Sequence, residues 1–270
     1  MSLPLVSEDS TLPLTGSHDA ARRFGGIERL YGEGAIERLA ASHVCVVGIG
    51  GVGSWVAEAL ARSGVGRLTL IDLDNVAESN INRQIHALEP TLGQAKVQAM
   101  AERIAAINPA AELIQVEDFL TPENAAALLQ GMDYVVDAID NVRAKVAMAA
   151  VCQERGLRLV MAGGAGGKTD PTRIKVDDLA RTEQDPLLAK VRAALRKNHG
   201  FPRDPRRKFG IEAVYSTEPL RYPVAVCAPG QAPQGLACAG YGSSVVMTAS
   251  VGLFAASRVL ERLATPEPSR

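Results

Sequence analysis

Zinc-type cysteine spacing is missing from this chain of 270 residues. Cys45, Cys152, Cys227 and Cys238 never form a C-x-x-C pair, and the four histidines show no H-x-x-x-H spacing. A structural zinc site and a disulfide scaffold are both unsupported, and buried, reduced thiols of a cytoplasmic protein are expected. Aromatic residues are scarce at 4%, which argues against a surface that stacks nucleic-acid bases on many rings. Neither charge sign predominates. Lys and Arg total 29 against 30 Asp and Glu, so any nucleic-acid site has to be a local patch. Long apolar runs are absent too. The longest, 245–260, is broken by Thr248, Ser250, Gly252, Ser257 and Arg258. That falls short of the roughly 20 residues of a membrane span; a buried helix is expected there, and no membrane. The first segment, 1–20, has no basic start and no apolar core, so it is expected to be a disordered tail and not a signal peptide. A second tail is expected at 265–270.

What is present is ordinary globular material, 47% apolar and 22% charged. At about 150 residues per domain the length allows one or two domains. From residue 43 short apolar runs alternate with helical spacing. Strands are expected at 44–47, 67–71, 112–116, 134–138 and 159–161. Helices are expected at 54–63, 94–107, 122–130 (with Thr121 as its cap) and 142–156. This βαβα rhythm implies an α/β, Rossmann-like, doubly wound and mostly parallel sheet. After 167 the rhythm changes: a strand at 173–176, a basic helix at 186–198, a Pro- and Arg-rich loop at 200–210, strands at 211–216 and 222–226, a loop at 228–235 and a last helix at 242–263. The whole of 21–264 is expected to be one domain. Its nucleotide-binding half is 21–167, and 168–264 is a C-terminal α/β elaboration facing the substrate.

The run 48–54 carries Gly48, Gly50, Gly51 and Gly53 between an expected strand and helix. Glycine lets backbone approach a phosphate, and the helix N-terminus adds N–H donors and a positive dipole. Asp72 follows roughly 20 residues on, at the end of the next strand, where a carboxylate can accept from ribose hydroxyls. To this point NAD, FAD and ATP fit alike. The next residues do not suit a dinucleotide. Asn80, Arg83 and Gln84 fall just after Asp72 and Asp74, and Lys96 follows. Two cations beside a phosphate chain serve a triphosphate whose cleavage develops charge. Asp140 ends another strand, where a carboxylate could help to hold Mg²⁺.

These motifs, in this order, resemble the ubiquitin-activating-enzyme-like adenylating superfamily, which includes ThiF and MoeB. The resemblance implies that Asp72 binds the ATP ribose, with Asp74 in the same motif. It further implies that Asn80, Arg83 and Lys96 contact phosphates, that Gln84 borders the pocket, and that Asp140 sits near the α-phosphate with Mg²⁺. Arg83, Lys96 and Asp140 are the implied catalytic set. The zinc-binding C-x-x-C pairs common among ThiF- and MoeB-like members are absent. A closer resemblance runs through Arg23-Phe24-Gly25-Gly26, Asn82 to Leu88, Gly163 to Gly167, Asp170-Pro171-Thr172, Gln184-Asp185-Pro186-Leu187 and Tyr215-Ser216-Thr217-Glu218. It is similar to the bacterial tRNA threonylcarbamoyladenosine dehydratase family. That implies ATP-dependent cyclisation of a threonylcarbamoyl group on tRNA, a homodimer, and association with a cysteine desulfurase and its sulfur acceptor. In the wider superfamily an N-terminal arginine enters the neighbouring subunit's ATP site; Arg23 and Arg29 are both candidates.

The chemistry agrees with the residues. Adenylation turns a poor leaving oxygen into part of AMP, and the ureido group of the same substrate then closes the ring. No enzyme nucleophile is needed, which leaves Cys227 and Cys238 as candidates for a reactive thiol or as merely structural. For the tRNA, Lys190, Arg192, Arg196, Lys197, Arg203, Arg206, Arg207 and Lys208 cluster with Asp204 as the only acid among them; such a patch neutralises phosphates. The competing expectations are adenylation of a sulfur-carrier protein's C-terminus, a nucleotide-sensing module, and an NAD oxidoreductase.

Overall fold

The computed structural model describes residues 20–204, 206–222 and 241–265. Nearly all of the expected tails at 1–20 and 265–270, nearly all of the strand at 222–226, the loop at 228–235, Cys227 and Cys238 lie outside the described residues.

In chain order the elements are α1 (Ala20–Tyr31), α2 (Ala35–Ala41), β1 (His43–Val47), α3 (Gly53–Arg62), β2 (Arg67–Ile71), α4 (Lys96–Ile107), β3 (Glu112–Val116), α5 (Ala125–Leu128) and β4 (Tyr134–Asp137). There follow α6 (Val142–Arg155), β5 (Arg158–Ala162), β6 (Ile174–Asp178), α7 (Pro186–Asn198), β7 (Glu212–Ser216) and α8 (Val245–Ala264). The strands form one sheet in the order β3-β2-β1-β4-β5-β7-β6. All neighbours run parallel except β6, which is antiparallel to β7.

Side-chain alternation explains the layers. In β1, Val44 and Val46 face the core shared with α3, α4 and α8, while Cys45 and Val47 face the core shared with α6 and α7. A strand buried on both faces reads as a continuous apolar run, as Val44 to Val47 does. The edge strand β3 is mostly exposed, and Arg67 pairs with Glu112 across it at 2.7 Å.

Most expected elements stand within a residue or two. The exceptions have local causes. The helix expected at 122–130 shrinks to Ala125–Leu128. Its cap is not Thr121: Asn124 Oδ1 accepts the Thr121 N–H at 2.7 Å, and its amide donates to Phe119 O at 2.9 Å. These local bonds compete with a helical turn. Gln94 and Ala95 stay outside α4, because Val76 N–H donates to Gln94 O at 2.8 Å and Ala95 bridges to Asn75. The helices α1 and α2 were not expected. Gly25 and Gly26 weaken the helical signal of α1, and α2 is held from outside by Glu28, which accepts the N–H groups of Gly34 and Ile36 at 2.6 and 2.9 Å. The helix α8 is buried on one face only. Val245, Val246, Leu253 and Phe254 are exposed. Among the described residues no helix is long and apolar enough to cross a membrane.

Candidate active site

The carboxyl ends of the parallel strands open onto one cleft of about 930 Å³. This is where an open α/β sheet presents its ligand site. Gly48, Gly50, Gly51, Asp72, Asp74, Asn80, Arg83, Gln84, Lys96 and Asp140 all line it. Gly53 does not. A Cβ on Gly53 would stand 1.7 Å from Gly48 O, so its part is to let α3 start against the loop. Gly48 has φ of 87°, and a Cβ there would meet Ile139 at 2.7 Å.

Asp72 ties the strand end to the glycine loop. Its Oδ2 accepts Ile49 N–H at 2.7 Å and its Oδ1 accepts Asp74 N–H at 2.9 Å. Burial pushes its carboxyl upward, opposed by Lys96 and by those N–H donors. Lys96, nearly buried, donates to Asp74 Oδ2 at 2.7 Å. Asp74 therefore acts first as the partner that aims Lys96 into the cleft. A short 3₁₀ turn, Glu78–Asn80, leads into Arg83 and Gln84, whose N–H groups both donate to Asn80 O at 3.0 Å. The Arg83 guanidinium donates to Ser79 O at 2.7 Å and Asn82 Oδ1 at 3.0 Å. Its carbonyl accepts from Trp55 Nε1 at 3.0 Å. Gln84 is buried, and its Oε1 has no partner among the described residues. Asp140 is exposed at the cleft, while its neighbour Asn141 caps α6 through Ala144 N–H at 3.1 Å.

Behind the loop lies a fully buried ion pair. Lys145 Nζ donates to Asp137 Oδ1 and to Ala162 O, each at 2.8 Å. It bridges the ends of β4 and β5, both of which feed the cleft. Among the described residues no three His, Cys, Asp or Glu side chains gather as a metal cage.

Sequence reading missed part of the lining. Asp118, Phe119 and Glu123, after β3, form one stretch of wall, and Arg143 joins it through an ion pair to Glu123 at 2.8 Å. The signal was available, since the loop after any parallel strand faces the ligand side. The residues of 163–166, with Leu187, Tyr241 and Ser243, form another stretch.

The basic segment is divided. Lys190, Lys197, Arg203, Arg206, Arg207 and Lys208 are exposed. Arg192 donates to Thr182 Oγ1. Arg196 donates to Pro202 O at 3.1 Å and lies over the Phe209 ring at 5.2 Å. Arg206 pairs with Asp204 at 3.0 Å. Arg196 thus helps to hold the 200–210 loop against α7, and Arg192 ties α7 to the segment that precedes it. Arg23 and Arg29 lie on α1 and do not line this chain's own cleft; Arg23 donates to Ile107 O at 2.9 Å. Cys45 and Cys152 are buried free thiols, and burial pushes Cys152 up to about 12.

A glycine loop, a strand-end aspartate and two cations on a doubly wound sheet define a mononucleotide-binding α/β protein. The ThiF family pattern matches residues 25–269. A tRNA threonylcarbamoyladenosine dehydratase of Haemophilus influenzae is 49% identical over 90% of this chain and 93% of its own. The enzyme of the same name from Escherichia coli is 50% identical over 90% of this chain and 93% of its own. The crystal structure of the E. coli tRNA N6-threonylcarbamoyladenosine dehydratase in complex with ATP superposes with a TM-score of 0.83 at 48% identity, covering 92% of this chain and 96% of that one. The chain belongs to the ThiF family, on its tRNA threonylcarbamoyladenosine dehydratase branch.

Proposed function

We propose that the chain catalyses the ATP-dependent cyclisation of threonylcarbamoyladenosine in tRNA. The carrying observation is that Asp72, Arg83, Lys96 and the exposed Asp140 line one cleft around the glycine loop. The residues fit ATP by their chemistry: Gly50 and Gly51 leave backbone open to phosphate, and the orphaned Gln84 Oε1 leaves an acceptor for a ligand. Asp72 takes the ribose hydroxyls while holding the loop. Asn80, Arg83 and Lys96 stabilise phosphate oxygens as charge develops. Asp140 would hold Mg²⁺, which favours one or two carboxylates beside phosphate oxygens and would neutralise charge there.

The threonyl carboxylate attacks the α-phosphorus and pyrophosphate leaves. The ureido group then attacks the acyl carbon, and AMP leaves with the carboxylate oxygen. The second step is intramolecular, so the protein need only hold a reactive conformer. No thiol takes part, which agrees with the burial of Cys45 and Cys152. A Cys227→Ser, Cys238→Ser double variant should cyclise tRNA at a substantial rate; complete inactivity of a folded variant would point to a covalent thioester.

The tRNA docks on the exposed cations from Lys190 to Lys208. The protein is a cytoplasmic homodimer. The apolar side chains exposed on α8 and the arginines of α1, outside their own cleft, support a second copy completing the site. A cysteine desulfurase and its sulfur acceptor are proposed as partners on family resemblance alone. Pyrophosphate release tests the reading against sulfur-carrier adenylation. It should require tRNA bearing threonylcarbamoyladenosine; release driven by a carrier protein's C-terminus would favour the alternative.

A further inference from the structure

Four runs of the sequence, 163–167, 170–172, 184–187 and 215–218, hold none of the residues assigned to the nucleotide, although 163–166 and Leu187 line the same cleft. The fold gathers them into one buried network behind the 163–166 wall of the cleft. Asp185, 4% exposed, is its centre. Oδ1 accepts Leu188 N–H at 2.9 Å and caps α7. Oδ2 accepts Gly164 N–H at 2.9 Å, and Gly164 lines the cleft. Lys168 Nζ stands 4.0 Å from the same Oδ2. It donates to Ser216 O at 2.8 Å and reaches Gln184 O at 3.5 Å. Glu218 closes the far end, accepting the N–H groups of Thr169 and Asp170 at 2.8 and 2.9 Å.

A helix cap needs one carboxylate oxygen. Two features face the other oxygen, and the backbone just before Asp185 is strained. Gln184 has φ of 53°, the only positive value for a non-glycine among the described residues, a conformation that side chains disfavour. Lys168 is nearly buried beside Oδ2. Gly163 gives the carboxylate room, because a Cβ there would lie 2.3 Å from Oδ2.

We propose that Asp185 is a positioning residue for the acceptor side of the cleft. It joins the start of α7 to the 163–166 wall, so that tRNA docked on the helix and the nucleoside held at the wall share one rigid frame. This rests on the functional reading above.

The test uses the full chain with Mg²⁺-ATP and tRNA bearing threonylcarbamoyladenosine. Asp185→Asn keeps the size and leaves one acceptor oxygen for two N–H groups. Its cyclisation kcat should fall by about tenfold to a hundredfold, the scale of a slightly misplaced substrate. Its ATP Kd should stay within about twofold of wild type. Gly163→Ala, which pushes the wall off the carboxylate, should show the same split. The double variant should lose no more than the worse single, since both act on one contact. Turnover by both single variants near the wild-type rate overturns the inference, as does an ATP affinity that falls in step with kcat. If Asp185→Asn does not fold, Gly163→Ala alone decides by the same readings. A wild-type protein that binds ATP and leaves the tRNA unchanged overturns the functional reading and this inference together.

Discussion

The two sides of the cleft are built differently. On the nucleotide side, side chains reach the cavity from the end of β2, the turn after Asn80 and the start of α4, each held by one or two bonds: Asp72 on Ile49 N–H, Arg83 on Ser79 O, Lys96 on Asp74. On the acceptor side the lining is largely backbone, 163–166, and the charged groups Lys168 and Asp185 are buried behind it. Charge displayed at the surface suits a small, highly charged ligand. Charge used internally suits a wall that must keep its shape against a large one.

The largest expected effect erases this difference. The Lys145–Asp137 pair stands behind both sides with neither side chain exposed. Lys145→Met leaves a buried, uncompensated carboxylate and should cost about 3–5 kcal/mol of stability, read by denaturant unfolding. A midpoint near wild type would remove the pair from the scaffold. Arg83→Ala should separate the sides: cyclisation should fall by about two to three orders of magnitude, the usual scale for one such donor, while tRNA affinity and the circular dichroism spectrum hold. Near-normal turnover would take Arg83 out of the mechanism.

Replacing Arg203, Arg206 and Arg207 with Ala probes the outer surface. Each phosphate left without its cation should reduce the log–log salt slope by about 0.7–0.9. Arg206 already pairs with Asp204 at 3.0 Å, so its share should be the smallest. ATP affinity should not change. A wild-type slope would make the segment a solvated surface. The smallest effect concerns His86, buried behind the nucleotide side with both ring nitrogens lacking partners among the described residues. Burial, reinforced by Lys96 and Arg103, holds it down at about 4. A lowered folded value means that the unfolded chain binds the proton first. Stability is then full above the ordinary imidazole range and falls with pH toward 4, by roughly 1 kcal/mol between about pH 7 and 5.5. His86→Gln should flatten that part of the pH–stability curve; an unchanged curve would contradict the burial.

The same contrast explains what could be read without coordinates. The strands and the lining of the nucleotide side were legible because its motifs fall in a fixed order between strand ends and helix starts. Asp72, Arg83, Lys96 and Asp140, picked out by that order, all line the cleft. The acceptor side was not legible. Asp185 stands in the sequence only as part of a run before a helix, until the fold brings Gly164, 21 residues away, onto its second oxygen. Likewise the sequence gives no sign that Arg192 and Arg196 also contact Thr182 and Phe209. Contacts between distant segments leave no periodic trace.

The proposed cyclisation is decided by mass analysis of nucleosides from tRNA bearing threonylcarbamoyladenosine, incubated with the purified protein. That nucleoside should lose one water, in a reaction dependent on ATP and absent with NAD. An unchanged nucleoside in the presence of protein that has bound ATP would contradict it.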